Sequence, residues 1–361
     1  MKIILYLTAF LFSLGQIGRI SFLNQQINFY LYEILICISI FFGLLYFRLK
    51  PIKESFINSK PIFYFFGVLA LSLLFGFFNY RLIDNIIASF YLFRLGLYFL
   101  FWIYISFWIK KNKHRSELKR QILAIISILT IITTIIQYFL YPDLRNLIYL
   151  GWDPHLYRTF GIFFDTTVSA SIYGLLFFLN SNIFIKILYL IFLAFSFSRS
   201  AYIAFVISVI YLFLTNKQIK IMIIYLVLLI SLVFIAPKQF GEGVNLTRTF
   251  SIFSRVKDYQ DGLKLFLERP IIGYGYNRLR TVKKDYTSHS GSAFSSSYLT
   301  ILVSAGVMGF ISLIGLMRLI WTKTAGKYRS VLIFLATISF FDNVFLHPFI
   351  LYLLFVNLAD N

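Results

Sequence analysis

The chain has 361 residues, 59% of them hydrophobic and 20% aromatic, with only 13% charged and a formal net charge of +20. Soluble domains carry about 25% charged residues and disordered chains have low hydrophobicity, so both classes are excluded and a polytopic membrane protein remains. In a soluble chain this charge would point to nucleic acid; here much of it lies in short loops between apolar runs, as the positive-inside rule expects, and no nucleic-acid partner is expected.

In chain order the apolar runs predict about twelve membrane helices of roughly 20 residues each. They lie near 3–20, 29–47, 61–79, 86–109, 121–141, 162–180, 183–198, 201–215, 221–236, 295–317, 330–346 and 348–359. The first run, behind Lys2, looks like a signal-peptide core, but no small-x-small cleavage site follows, so it is read as a membrane helix. Cys37 is the single cysteine, which excludes an internal disulfide and reads as a packed core thiol. Arg94 lies inside the fourth run and is expected to face the bundle interior, paired with Glu33 or Asp84 or lining a cavity. The fold class is an all-α polytopic membrane protein, one membrane domain over 1–361.

The short basic loops Arg48–Lys60, Lys110–Arg120, Asn216–Lys220 and Arg318–Arg329 alternate onto one side, together with Lys2. That side is expected to be cytoplasmic. The opposite side then carries two larger loops, 142–161 and 237–294. The second is itself basic, with ten Lys and Arg against five Asp and Glu. Within it Val256, Tyr259, Leu263, Phe266 and Leu267 recur at helical spacing and Pro270 follows as a stop, which predicts an amphipathic helix over 254–268 at the membrane boundary.

These two loops and the turn before the eighth run are rich in arginine: Arg145, Arg158, Arg199, Arg248, Arg255, Arg269, Arg278 and Arg280. A guanidinium at the membrane edge is costly unless it meets an anion or water, and it binds phosphate through a bidentate fork. Several converging arginines therefore point to a phosphate or pyrophosphate ligand; pairing with lipid headgroups or with Asp153, Asp165 and Asp258 is the plain alternative. Of the histidines, His114 and His347 read as solvated or structural, His155 lies in the first large loop, and His289 is the candidate general base. There is no G-x-x-x-x-G-K-[ST] loop, no D-x-D pair and no His/Cys zinc spacing. The chemistry is expected to need neither metal nor nucleotide-sugar donor, and no cofactor.

An ordered set of motifs carries a resemblance. Arg158-Thr-Phe-Gly161-Ile-Phe-Phe-Asp165 opens a run, Ser198-Arg199-Ser-Ala201 separates two, Arg255-Val-Lys-Asp-Tyr-Gln-Asp-Gly-Leu263 precedes Glu268-Arg-Pro270-Ile-Ile-Gly273-Tyr-Gly275, and Gly306-Val-Met-Gly309 lies in the next run. Over residues 155–315 the chain resembles the O-antigen ligase/polymerase superfamily of bacterial membrane glycosyltransferases. The resemblance implies a GT-C-like helical enzyme of the inner membrane with its site on the periplasmic face. Its donor would be an oligosaccharide on undecaprenyl pyrophosphate, delivered by a flippase and handled beside membrane lipids and a chain-length regulator. Transfer to an acceptor hydroxyl would invert the anomeric centre. The family pattern carries pyrophosphate binding onto Arg158, Arg199 and Arg255, and Arg248 joins them from the same loop. The family's histidine position, eleven before Gly306, holds Ser295, with His289 six residues earlier; the D-P-N step reads Asp165-Thr-Thr167. A repeat-unit polymerase of O-antigen, capsule or exopolysaccharide is therefore preferred to a ligase acting on the lipid A core. A lipid-linked glycan transporter is the rival from another class, and it would need internal repeats and midplane charges that are not visible.

Overall fold

The computed structural model describes residues 1–23, 25–112, 114–237, 242–285 and 289–359. Helices occupy every apolar run. They are α1 (Lys2–Phe12), α2 (Leu31–Phe47), α3 (Lys50–Asn58), α4 (Lys60–Phe75), α5 (Leu82–Lys111), α6 (Arg115–Leu140), α7 (Thr166–Leu179) and α8 (Ile183–Phe195). The second half adds α9 (Arg199–Thr215), α10 (Ile219–Ile235), α11 (Phe250–Glu268), α12 (Leu279–Val282), α13 (Ser297–Thr322), α14 (Lys327–Phe341) and α15 (Pro348–Leu358). Three of them, α5, α6 and α13, are long and apolar enough to cross a membrane alone; α2 and α3 pass together but bend by 97°. The bend falls at Arg48, whose backbone leaves the helical region with φ +51° and ψ −136°, and Pro51 and Pro61 open α3 and α4, where a missing N–H costs nothing.

Two helices are apolar all round and are therefore buried. Every residue of α7 from Val168 to Leu179, and of α15 from Phe349 to Leu358, is buried. Rings lock the centre: Phe12 lies 5.0 Å from Tyr352, and Trp102 stacks on Phe355 at 4.8 Å. The perimeter is apolar too. Phe139, Leu140 and Ile235 are about three-quarters exposed, which a chain this poor in charge tolerates only against lipid.

The basic turns share one end of the bundle. Lys323 donates to the Ser59 hydroxyl at 2.5 Å and Lys327 to the Leu179 carbonyl at 2.7 Å. The turns that carry the selected arginines lie at the other end, here termed the loop end.

Three expectations are corrected. The first run is not helix to residue 20: α1 stops at Phe12, and the antiparallel strands β1 (Arg19–Phe22) and β2 (Ile27–Tyr30) follow, with Arg19 opposite Tyr30. Alternating Ile, Phe and Tyr had simply counted as apolar. Cys37 is exposed on the outer side of α2 rather than packed in the core, because the inward positions there are Ile36 and Ile40. In α11 the apolar positions divide: Tyr259 and Phe266 pack inward, whereas Val256, Leu263 and Leu267 are exposed beside Ile252 and Phe253. The inward face is shared with Arg255 and Asp258, whose partners lie on other elements.

The two glycine motifs meet at one place. Helix α13 breaks at Gly306, with φ +66° and ψ −165°. A Cβ there would lie 2.2 Å from the Ile271 carbonyl. The segment after α11 fills the break: Val307 N–H donates to Pro270 O at 2.8 Å, and Gly275 N–H to Ser304 O at 2.8 Å. Ser72 of α4 puts its hydroxyl 2.8 Å from Ile272 O and 2.6 Å from Ser304 O. Non-helical backbone at membrane depth survives only when its polar groups are bonded inside the protein, and here they are.

Candidate functional site

The Arg158–Gly161 segment is strapped to its neighbours by backbone groups. Gln137 of α6 donates to Arg158 O at 3.2 Å and accepts from the N–H groups of Phe160 and Gly161, each at 3.0 Å. Thr159 N–H donates to Phe195 O at 3.1 Å, at the end of α8. Gly161 has φ +51°, which favours glycine. Asp165 then caps α7, accepting from Thr167 and Val168 N–H at 2.7 and 2.8 Å. This framework holds the buried Arg158 side chain with its Nε donating to Ser196 O at 2.7 Å.

Arg199 and Arg248 tie the α8–α9 turn to the loop before α11. Arg199, the first residue of α9, donates to Leu246 O at 3.1 Å, Arg248 O at 3.0 Å and the Ser251 hydroxyl at 2.6 Å. Arg248 donates back to Phe197 O at 3.2 Å and to Asn245 O at 3.1 Å. Arg255, on α11, pairs with Asp342 in the turn between α14 and α15, at 2.9 and 3.1 Å. Ser200 donates to the same carboxylate at 2.6 Å. The four arginines singled out in the sequence thus gather at one turn, Ser196–Ser200: Arg158 and Arg248 donate to its carbonyls, Arg199 belongs to it, and Arg255 is linked to Ser200 through Asp342. Arg158 and Arg199 have no carboxylate partner among the described residues; their acceptors are neutral carbonyls and one hydroxyl.

The electrostatics agree. Burial, then repulsion from Arg248, pulls the Arg158 guanidinium down to about 10. Burial, then Arg158, pulls His155 down to about 4, so it is neutral. Burial raises Asp342 to about 6 against the opposing pull of Arg255 and Ser200. A site that discourages protonation of its own histidine and crowds its guanidinium groups favours an incoming anion.

The other arginines are sorted elsewhere. Arg145 is exposed and pairs with Asp143 at 2.9 Å. Arg269 stacks on Tyr274 at 4.8 Å, and the fully buried Arg278 stacks on Tyr80 at 4.6 Å and donates to Asn85 at 2.5 Å. Arg94 pairs with Glu33 at 2.8 Å rather than with Asp84. His289 begins a short turn, His289–Ser292, but its side chain lies outside the described residues. Ser295, at the family's histidine position, binds Asp258 through its N–H at 2.9 Å and its hydroxyl at 2.5 Å.

Sequence reasoning missed Asp342. The signal was available: it is a lone acid within the apolar run 330–346, in a chain with 14 acids, and an ionisable residue in such a place is a site candidate by default.

Residues 184–314, from α8 into α13, match the family described as O-antigen ligase. The match covers little more than a third of the chain and supports the resemblance to the O-antigen ligase/polymerase superfamily. The matched segment contains Arg199, Arg248, Arg255 and Gly306, which breaks α13. Arg158 and Asp342 lie outside it and reach the site through the fold. No curated protein matches the chain. The match supports a coarse reading, glycan transfer of the ligase or polymerase type by a membrane protein of polysaccharide synthesis.

Proposed function

We propose that the protein is a repeat-unit polymerase of O-antigen, capsule or exopolysaccharide. It would sit in the bacterial inner membrane with about twelve crossings and its loop end on the periplasmic face. The donor is an oligosaccharide on undecaprenyl pyrophosphate, and the acceptor is a hydroxyl of a second lipid-linked repeat. A flippase supplies the donor, and a chain-length regulator is the expected partner.

The observation that carries this reading is the convergence of Arg158, Arg199, Arg248 and Arg255 on one turn, with Arg158 and Arg199 bonded only to neutral acceptors. Leaving-group departure concentrates charge on pyrophosphate, and guanidinium groups compensate that charge without a metal. The acceptor oxygen forms its bond to the anomeric carbon from the opposite face, so the configuration inverts. Its proton goes to His289, and the C–O bond to pyrophosphate breaks with its electron pair on the leaving group. His289→Ala should abolish transfer while donor binding survives; an unchanged polymer would assign the proton elsewhere.

The matched family, O-antigen ligase, favours a second reading, ligation to the lipid A core. Reconstitution separates the two. Purified protein is mixed with lipid-linked repeats alone, without nucleotide or metal. A ladder of products with released undecaprenyl pyrophosphate supports the polymerase. Transfer only when a lipid A core is added supports the ligase, and no reaction with either acceptor favours the transporter.

A further inference from the structure

The 342–347 turn has two sides. Asp342 faces the arginines, while Asn343 and His347 line a cavity of about 180 Å³ on the other side. The remaining wall comes from the middle of α5, the segment before α12, and the first turns of α13. Ser292, the last residue of the turn that His289 begins, also lies on it.

The cavity combines rings with unspent polar groups. Tyr91, Tyr98 and Tyr276 contribute rings. Among the described residues, the Tyr276 hydroxyl and the amides of Asn277 and Asn343 make no hydrogen bond, although all three residues are half-buried. A small number of polar groups converging on a ring-lined space fix the orientation of a ligand there, and these three have no protein partner to compete for them. The net charge in the wall is balanced, because Arg94 pairs with Glu33 at 2.8 Å and Glu33 also accepts from the Tyr98 hydroxyl at 2.5 Å, while the buried Arg94 Nη2 has no hydrogen-bond partner and adds one more donor. The space therefore asks for hydrogen bonds and a ring face, not for a net charge. Its size fits one six-membered ring: an engineered cavity of about 150 Å³ holds a benzene.

We propose that this cavity is the seat of the acceptor sugar, and that it takes an uncharged pyranose. The rings cover its C–H faces, and Tyr276, Asn277 and Asn343 bind its hydroxyl or acetamido groups. This rests on the transferase reading for its role but not for its binding. One turn, 342–347, then separates the acceptor seat from the arginines that hold the donor.

The test measures binding without turnover. The full-length protein in nanodiscs is titrated with methyl galactoside, methyl N-acetylglucosaminide and methyl glucuronide, followed by saturation-transfer NMR. At least one neutral glycoside should bind, and the glucuronide should bind at least fivefold more weakly. Tyr276→Phe and Asn343→Ala, each checked for an unchanged melting profile, should each weaken the neutral glycoside at least fivefold. No binding by the wild type, a preference for the glucuronide, or indifference to both substitutions overturns the proposal. Failure of the transferase reading shows separately, as no release of undecaprenyl pyrophosphate by the wild type.

Discussion

Two buried arginines in this molecule are handled in opposite ways. Arg94 lies in the middle of α5 with a carboxylate 2.8 Å away, and that carboxylate also receives Tyr98 and the Tyr30 N–H. Arg158, equally buried, meets only a backbone carbonyl at 2.7 Å, with other guanidinium groups nearby. The first arrangement balances its charge from within, although the Arg94 Nη2 is left without a hydrogen bond. The second has no carboxylate in contact, only the longer-range attraction of Asp165 and Asp153, so its charge is the less fully compensated of the two. Burial alone does not distinguish a structural arginine from a functional one; the identity of its acceptors does.

The sharpest way to break the contrast is to unbalance Arg94. Glu33→Gln leaves a buried guanidinium without its carboxylate and should cost about 3–5 kcal/mol, read as a lower melting temperature in detergent. The double change Glu33→Leu with Arg94→Met should recover most of it. If the single change is silent, Arg94 is not held as a balanced pair and the two regions do not differ as described.

The arginine site should respond in activity instead. Arg199→Lys and Arg255→Lys keep the charge but lose the planar fork, and each should reduce polymer about 100-fold, equivalent to ~2.7 kcal/mol, at normal membrane expression. Near-normal polymer from both would make these residues headgroup contacts.

Asp342 tests whether the site awaits an anion. Its carboxylate occupies Arg255, so under the proposed function it would compete with pyrophosphate. Asp342→Asn should tighten donor binding about fivefold, or ~1 kcal/mol. The sign with pH follows from a carboxyl raised to about 6: donor binding by the wild type should strengthen as pH falls through that value, and the variant should be flat. Weaker donor binding in the variant would make Asp342 a support for Arg255 rather than a competitor.

The smallest effect concerns His155. Its pKa is lowered from 6.5 to about 4, so the folded state resists a proton that the unfolded chain accepts. Stability is fully present above 6.5 and is lost progressively as pH falls from there toward about 4. His155→Gln should flatten that part of the acid limb in a melting series; an unchanged limb would place the sensitivity on other groups.

Much of the site was legible because its parts are local. A guanidinium in a turn between apolar runs is visible in a single window of sequence, and four such residues were chosen that the fold does bring around Ser196–Ser200. What escaped were the pairings. Arg255 and Asp342 are 87 positions apart, and Ser200 and Asp342 are 142 apart. No periodicity or spacing connects such residues. The hairpin at 19–30 escaped for a different reason: short alternating strands rich in Ile, Phe and Tyr have the mean hydropathy of a helix.

The sequence by itself determined the class of protein, a helix in each apolar run and the arginine-bearing turns, because hydropathy and charge are properties of each segment alone. Only the tertiary structure decided the balance of charge. It gave Arg94 its carboxylate, left Arg158 with a carbonyl, set Asp342 against Arg255, and seated the segment after α11 in the break of α13 at Gly306. Each depends on which distant groups the packing places within about 3 Å, the range at which hydrogen bonds are made.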